Sequence, residues 1–173
     1  ITKLPNRKSL KEELTQKIET AETLPKLAVL HLDLVRFKTL KHSLGYQIIE
    51  DLLIKIGETL ISRIPDHSFC AKIASDEFII LLEDIETEAE AITWVEAIQQ
   101  LFLSPFEINE HRIFINVKVG VVLTQQWCGS AEEILQAADT AMNHAKLSST
   151  QDYAVFDPKM QESAIAQILM DSL

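Results

Sequence analysis

The sequence predicts an α/β (α+β) sandwich with a mostly antiparallel central sheet flanked by helices. Two observations carry that reading. Four long segments place apolar residues at helical spacing, and short apolar or alternating runs separate them. Their order is helix, strand, helix, hairpin, helix, strand, helix, strand, which suits layers packed around one core. The 173 residues are 47% hydrophobic, enough for a single full-sized domain. No repeat, low-complexity tract or glycine-serine linker divides them.

Lys8–Glu22 reads as the first helix, with Leu10, Leu14 and Ile18 spaced by four and Pro25 closing it. Leu27–Leu34 is a nearly continuous apolar run containing His31 and Asp33, the pattern of a buried strand. From Phe37 to Ile64 the pattern turns helical, with Ile49, Leu52, Leu53, Ile56 and Leu60 on one face and a break at Gly45. Phe69–Leu82 alternates on both sides of Ala74-Ser75-Asp76-Glu77, the tip of a hairpin that lacks the usual turn residues. Glu86–Leu103 is a helix. Arg112–Leu123 is one strand, its apolar residues at Ile113, Ile115, Val117 and Val119. Ser130–Leu147 is a helix announced by Ser130 and Glu133 as a capping box. Tyr153–Phe156 is a last short strand.

The formal net charge of -10 makes nucleic acid and anionic membrane surfaces poor partners. A nucleotide would need metal ions to offset that field. Cys70 and Cys128 are the only cysteines and form no CxxC spacing, which suits a reducing cytoplasm. The longest apolar run, Phe78–Leu82, is far too short to cross a bilayer, so no direct membrane contact is expected. The chain opens on Ile1 and reads as a segment of a longer protein, whose own attachment to a membrane stays open.

Chemistry is expected where Asp33, near the end of the first strand, meets Asp76 on the hairpin turn. If the two strands are neighbours, their carboxylates converge, and a hard divalent ion is the natural partner of converging like charges. Lys38, one helical turn into the next segment, is placed to serve phosphates.

Three motifs then carry a family resemblance: Leu4-Pro5-Asn6-Arg7, Leu32-Asp33-Leu34-Val35-Arg36-Phe37-Lys38 and Ser75-Asp76-Glu77-Phe78. Together with Ala138-Asp139-Thr140-Ala141-Met142 and Ala145-Lys146, they resemble the landmarks of GGDEF domains, the diguanylate cyclases that condense two GTP into cyclic di-GMP. The resemblance implies a palm-like sheet with a ferredoxin-like core. It also implies Mg2+ (or Mn2+) held by Asp33, the Leu34 carbonyl and Asp76. Asp76 is the implied catalytic base, with Glu77 beside it. The implied nucleotide-binding set is Phe37, Lys38, Lys41, Glu50, Ala74, Ser75 and Lys146.

Part of that pattern is altered. Ala74 and Ser75 stand where the signature has two glycines. At positive φ a side chain costs about 1 kcal/mol, and it blocks close approach of a ligand to backbone. The guanine-reading asparagine falls at Lys41, which has donors only, and the guanine-reading aspartate at Glu50. The late phosphate-site arginine falls at Thr150. The Arg-x-x-Asp motif of product inhibition falls on Pro65–Ser68 and is absent. Phe156-Asp157-Pro158 and Met160, with the stripe Ala164, Ile165, Ile168 and Leu169, resemble the junction to a downstream EAL phosphodiesterase domain. The organisation expected is a GGDEF-like domain over residues 1–157 and a connector helix over 158–173. Three functions follow. The first is a degenerate, regulatory nucleotide-binding or docking module for an EAL domain. The second is a weak cyclase working as a homodimer, and the third a nucleotide-free scaffold.

Overall fold

The computed structural model describes residues 4–161 and residue 169. Helix α1 (Arg7–Thr20) begins at Asn6, whose Oδ1 accepts from the Ser9 N–H at 2.9 Å and satisfies one free donor of the helix start. Strand β1 (Leu27–Val35) is buried along its length except at Val35, as its apolar run requires. Two helices follow, α2 (Phe37–Leu44) and α3 (Tyr46–Arg63), parted at Gly45. Gly45 has φ +85°, a conformation that glycine adopts freely, and this makes the expected break. The hairpin is β2 (Phe69–Ala74) and β3 (Glu77–Glu83), and helix α4 (Glu88–Leu101) comes after it. Then come β4 (Phe106–Ile108), β5 (His111–Ile113) and β6 (Asn116–Leu123). The chain continues through α5 (Ala131–Leu147), with its capping box at Ser130 and Glu133, to β7 (Tyr153–Val155).

The main sheet has five strands in the order β2-β3-β1-β6-β7. All neighbours are antiparallel except β6 and β7, which are parallel. Alternation along β1 divides the core into two layers. Ala28, Leu30, Leu32 and Leu34 pack with residues of α3 and α4, while Val29 packs with residues of α1 and α5. His31 and Asp33 share the face of Val29, towards α1 and α5. No helix among the described residues is long and apolar enough to cross a membrane.

Two expectations are corrected. Arg112–Leu123 is not one strand, because β5 pairs with β4 in a separate two-stranded ribbon and only β6 joins the main sheet. Ile113, Ile115 and Val117 are all buried, so the alternation continues across the break. Alternation reports a buried face and not a hydrogen-bonding partner. The ribbon turns at Asn109, with φ +56°, a residue type that tolerates this region.

The second correction concerns the hairpin tip. Ala74 pairs with Glu77, leaving Ser75-Asp76 as the loop, yet neither Ala74 nor Ser75 has positive φ. The pairing slips between Lys72 and Ala74 instead. This bulge supplies the local twist that a left-handed turn residue would otherwise provide.

Beyond β7, a helical turn starts at Pro158, and Met160 packs part-buried against the α1–α5 side of the core. Leu169 is exposed. Ala164, Ile165 and Ile168 lie outside the described residues.

Candidate functional site

The strand order makes β1 and β3 neighbours, and their register sets Asp33 opposite Glu77. The hairpin tip is tied to β1 by the Leu34 N–H, which donates to the Asp76 carbonyl at 2.9 Å. Helix α5 closes the same face. It lies so near the sheet that a Cβ on Gly120 of β6 would stand 2.3 Å from Met142 N and 2.4 Å from Ala138 O. This close approach brings Lys146 Nζ to 3.3 Å from Asp33 Oδ2. Asp33, Asp76, Glu77 and Lys146 therefore meet at one end of the sheet.

The electrostatics follow from that crowding. Burial pushes the Asp33 carboxyl above its ordinary range. Lys146 pulls it down, while Asp76 and Glu77 push it further up. Glu77 is shifted the other way. Contact with the His31 imidazole holds it low against the effect of burial, and Lys146 and Arg7 add to that pull. A buried carboxylate facing two others fits a hard divalent ion such as Mg2+ or Mn2+, which offsets their repulsion and accepts oxygen ligands.

The other sequence-derived positions are distributed around this centre. Lys38 and Lys41 are exposed on α2, three residues apart and so on one side of it. Glu50 is half-buried on α3, and Ala74 and Ser75 are exposed at the hairpin tip. Phe37 lies beneath this surface. Its ring is 2% exposed and belongs to the core under α3, where it anchors the start of α2, so any contact with a ligand would come from its backbone. Thr150 is exposed in the turn after α5, where its N–H donates to Ser148 Oγ.

Sequence reasoning gave no role to several residues now seen at the site. His31 is buried beside Glu77, with Nε2 3.5 Å from Oε1. A histidine inside an apolar strand run was its only signal. Asp139 of α5 comes close to both. Lys118, opposite Asp33 in register, reaches away to Asp152 Oδ1 at 3.0 Å and to the carbonyls of Ser148 and Gln151. It fastens the turn after α5. Gly120 was visible as a lone glycine in a strand, a pattern that marks close backbone approach.

The sequence model described as "Diguanylate cyclase, GGDEF domain" matches residues 1–152. The chain belongs to the GGDEF family. Among curated relatives, it is 31% identical over 169 residues to the bifunctional diguanylate cyclase/cyclic di-GMP phosphodiesterase MucR of Pseudomonas aeruginosa. That match covers 97% of this chain and 24% of MucR, so the chain spans about a quarter of that relative. The fold superimposes on the GGDEF domain of TpbB from Pseudomonas aeruginosa with TM-score 0.87 at 24% identity, covering 96% of each chain. An EAL/GGDEF domain protein from M. capsulatus superimposes with TM-score 0.74 at 28% identity, over 89% of this chain and 100% of that one. The α+β architecture with its mixed five-stranded sheet is thus that of GGDEF domains, and the chain is a GGDEF domain of cyclic di-GMP signalling.

Proposed function

We propose that this GGDEF domain is a regulatory nucleoside-triphosphate-binding module that acts on an adjoining EAL phosphodiesterase domain. The observation that carries the reading is the contrast between two halves of one site. Asp33, Asp76, Glu77 and Lys146 converge at the end of β1. The positions to which the family resemblance assigns guanine reading hold Lys41 and Glu50 instead. Asp33, the Leu34 carbonyl and Asp76 would hold Mg2+ or Mn2+, which supplies charge neutralisation for triphosphate oxygens. Lys38 and Lys146 bind phosphate. Lys41 offers donors only and cannot reproduce an amide's paired donor and acceptor, so the base is held with little discrimination.

The EAL partner is supported by the bifunctional relative MucR and by the helical turn that begins at Pro158; the connector expected over 158–173 lies for the most part outside the described residues. Residues 1–157 form the domain itself. A homodimer is needed only for the second reading, that of a weak diguanylate cyclase, because two bound GTP must face each other across a symmetric pair. One observation favours that alternative. The hairpin tip needs no positive φ at Ala74 or Ser75, so the missing glycines do not by themselves strain it.

Calorimetry with GTP and ATP, with and without Mg2+, tests the proposal. Metal-dependent binding of both, with affinities within about threefold, and cyclic di-GMP formation at background are expected. Robust cyclic di-GMP synthesis by the unaltered chain would overturn the regulatory reading in favour of the cyclase.

A further inference from the structure

His31 is 3% exposed, and neither of its ring nitrogens has a hydrogen-bond partner among the described residues. Buried polar groups nearly always find partners, since an unmet one gives up its hydration with nothing in return. Here the ring faces carboxylates without bonding well to either. A ring nitrogen of His31 and one oxygen each from Glu77 and Asp139 lie within 4.8 Å of one another. They come from β1, β3 and α5, so three separate elements converge on one point.

We propose that His31, Glu77 and Asp139 form a site for a divalent transition ion of the zinc type, separate from the carboxylates of Asp33 and Asp76. A four-coordinate ion with nitrogen and oxygen ligands at about 2.0–2.2 Å spaces those ligand atoms about 3.3 Å apart. His31 Nε2 and Glu77 Oε1, at 3.5 Å, already approach that spacing. Asp139 has to move inward by at most about 1.5 Å, the excess of 4.8 Å over that spacing. It is exposed, and its one hydrogen bond among the described residues, from Asn143 Nδ2, is a long 3.4 Å, so little resists the movement.

Charge and donor type agree. Asp33 has Lys146 beside it together with Asp76 and Glu77, and Glu77 has Lys146 and Arg7, so three carboxylates crowd next to His31 and Asp139 in a setting that suits a dication. An imidazole nitrogen favours zinc, cobalt or nickel, whereas magnesium keeps to oxygen ligands and water. Three protein ligands leave a fourth position for water. Occupation would hold the Glu77 side chain towards α5, and so would link transition-metal supply to the signature hairpin.

The test uses Co2+ as a visible probe on the 173-residue chain. With excess Mg2+ present to fill the Asp33 and Asp76 carboxylates, a single Co2+ should bind with the absorption of a low-coordinate site and be displaced by Zn2+. Asp139→Asn and His31→Gln should each weaken Co2+ binding by about tenfold or more, as expected when a site loses a coordinating group. Asp33→Asn should change it by less than about threefold. Asp139 is exposed, so that variant keeps the test decisive even if the His31 variant does not fold. Absence of Co2+ binding, an unchanged affinity in Asp139→Asn, or an equal loss in Asp33→Asn would each overturn the proposal.

Discussion

Gly120→Ala adds one methyl group where the sheet and α5 nearly touch. The new Cβ would sit 2.3 Å from Met142 N, 2.4 Å from Ala138 O and 2.8 Å from Met142 Cα, against an ordinary contact of 3.4–4 Å. All three atoms are helix backbone, so no side-chain rotation relieves the clash. Helix α5 must withdraw by about 1 Å, thinning its contacts at Ala138, Ala141 and Met142. Overpacking of this kind costs about 1–3 kcal/mol. For a chain of this size, each kcal/mol lowers the melting temperature by about 2–4 °C, giving a fall of about 2–12 °C. The same withdrawal stretches the 3.3 Å contact between Lys146 and Asp33 beyond ion-pair range. Calorimetric melting measures the first effect, and triphosphate titration should show weaker binding from the second. A melting temperature within about 1 °C of the parent would refute the view that this glycine sets the height of α5 over the site.

Three further outcomes are expected. Asp33→Asn should abolish metal-dependent triphosphate binding yet not destabilise the metal-free fold at neutral pH. The folded Asp33 carboxyl is raised, so its favourable contribution is present below the unfolded pKa and is lost as pH rises through the folded one. Urea unfolding across the carboxylate range should therefore show the parent losing ground to the variant as pH rises, and the opposite slope would contradict the assigned shift. Lys146→Met leaves Asp33 facing Asp76 and Glu77 without its cation. Since Lys146 is partly exposed, a loss of about 1 kcal/mol is expected at neutral pH, and it should disappear in an Asp33→Asn background. Thr124→Val removes a buried hydroxyl that accepts from the Leu27 N–H at 2.8 Å and donates to the Pro25 carbonyl. A loss of about 1–3 kcal/mol in denaturant unfolding, with triphosphate affinity unchanged, is expected.

The helices were legible because each buries one stripe against the sheet. Leu10 and Leu14 in α1, and Ile49, Leu52, Leu53, Ile56 and Leu60 in α3, are buried as their spacing requires. Asp33 and Asp76 were legible as converging acids only on the condition that their strands are neighbours, and the order β2-β3-β1 meets it. What stayed hidden depends on partner choice and on contacts far apart in sequence. The split between β5 and β6 leaves the burial of Ile113, Ile115 and Val117 unchanged, so hydrophobic pattern could not reveal it. The hairpin tip was expected to need glycine, but its twist is taken up one step earlier, between Lys72 and Ala74. Asp139 reads as one polar position on an amphipathic helix until α5 is laid on the sheet beside His31.

The motif Leu4-Pro5-Asn6-Arg7 has a consequence apart from any ligand. Strand β2 is outermost in the sheet, and its Lys72 N–H donates to the Pro5 carbonyl at 3.0 Å. Leu4 pins that segment by resting over Gly57 of α3, where an added Cβ would stand 3.2 Å from Leu4 Cδ1. An unpaired outer strand is a template on which a second molecule can add its own. Proline offers a carbonyl to that strand but has no N–H with which to pass the pairing on. The segment therefore acts as a stopper against sheet growth between molecules, and damage to it would show as self-assembly before it showed as altered chemistry.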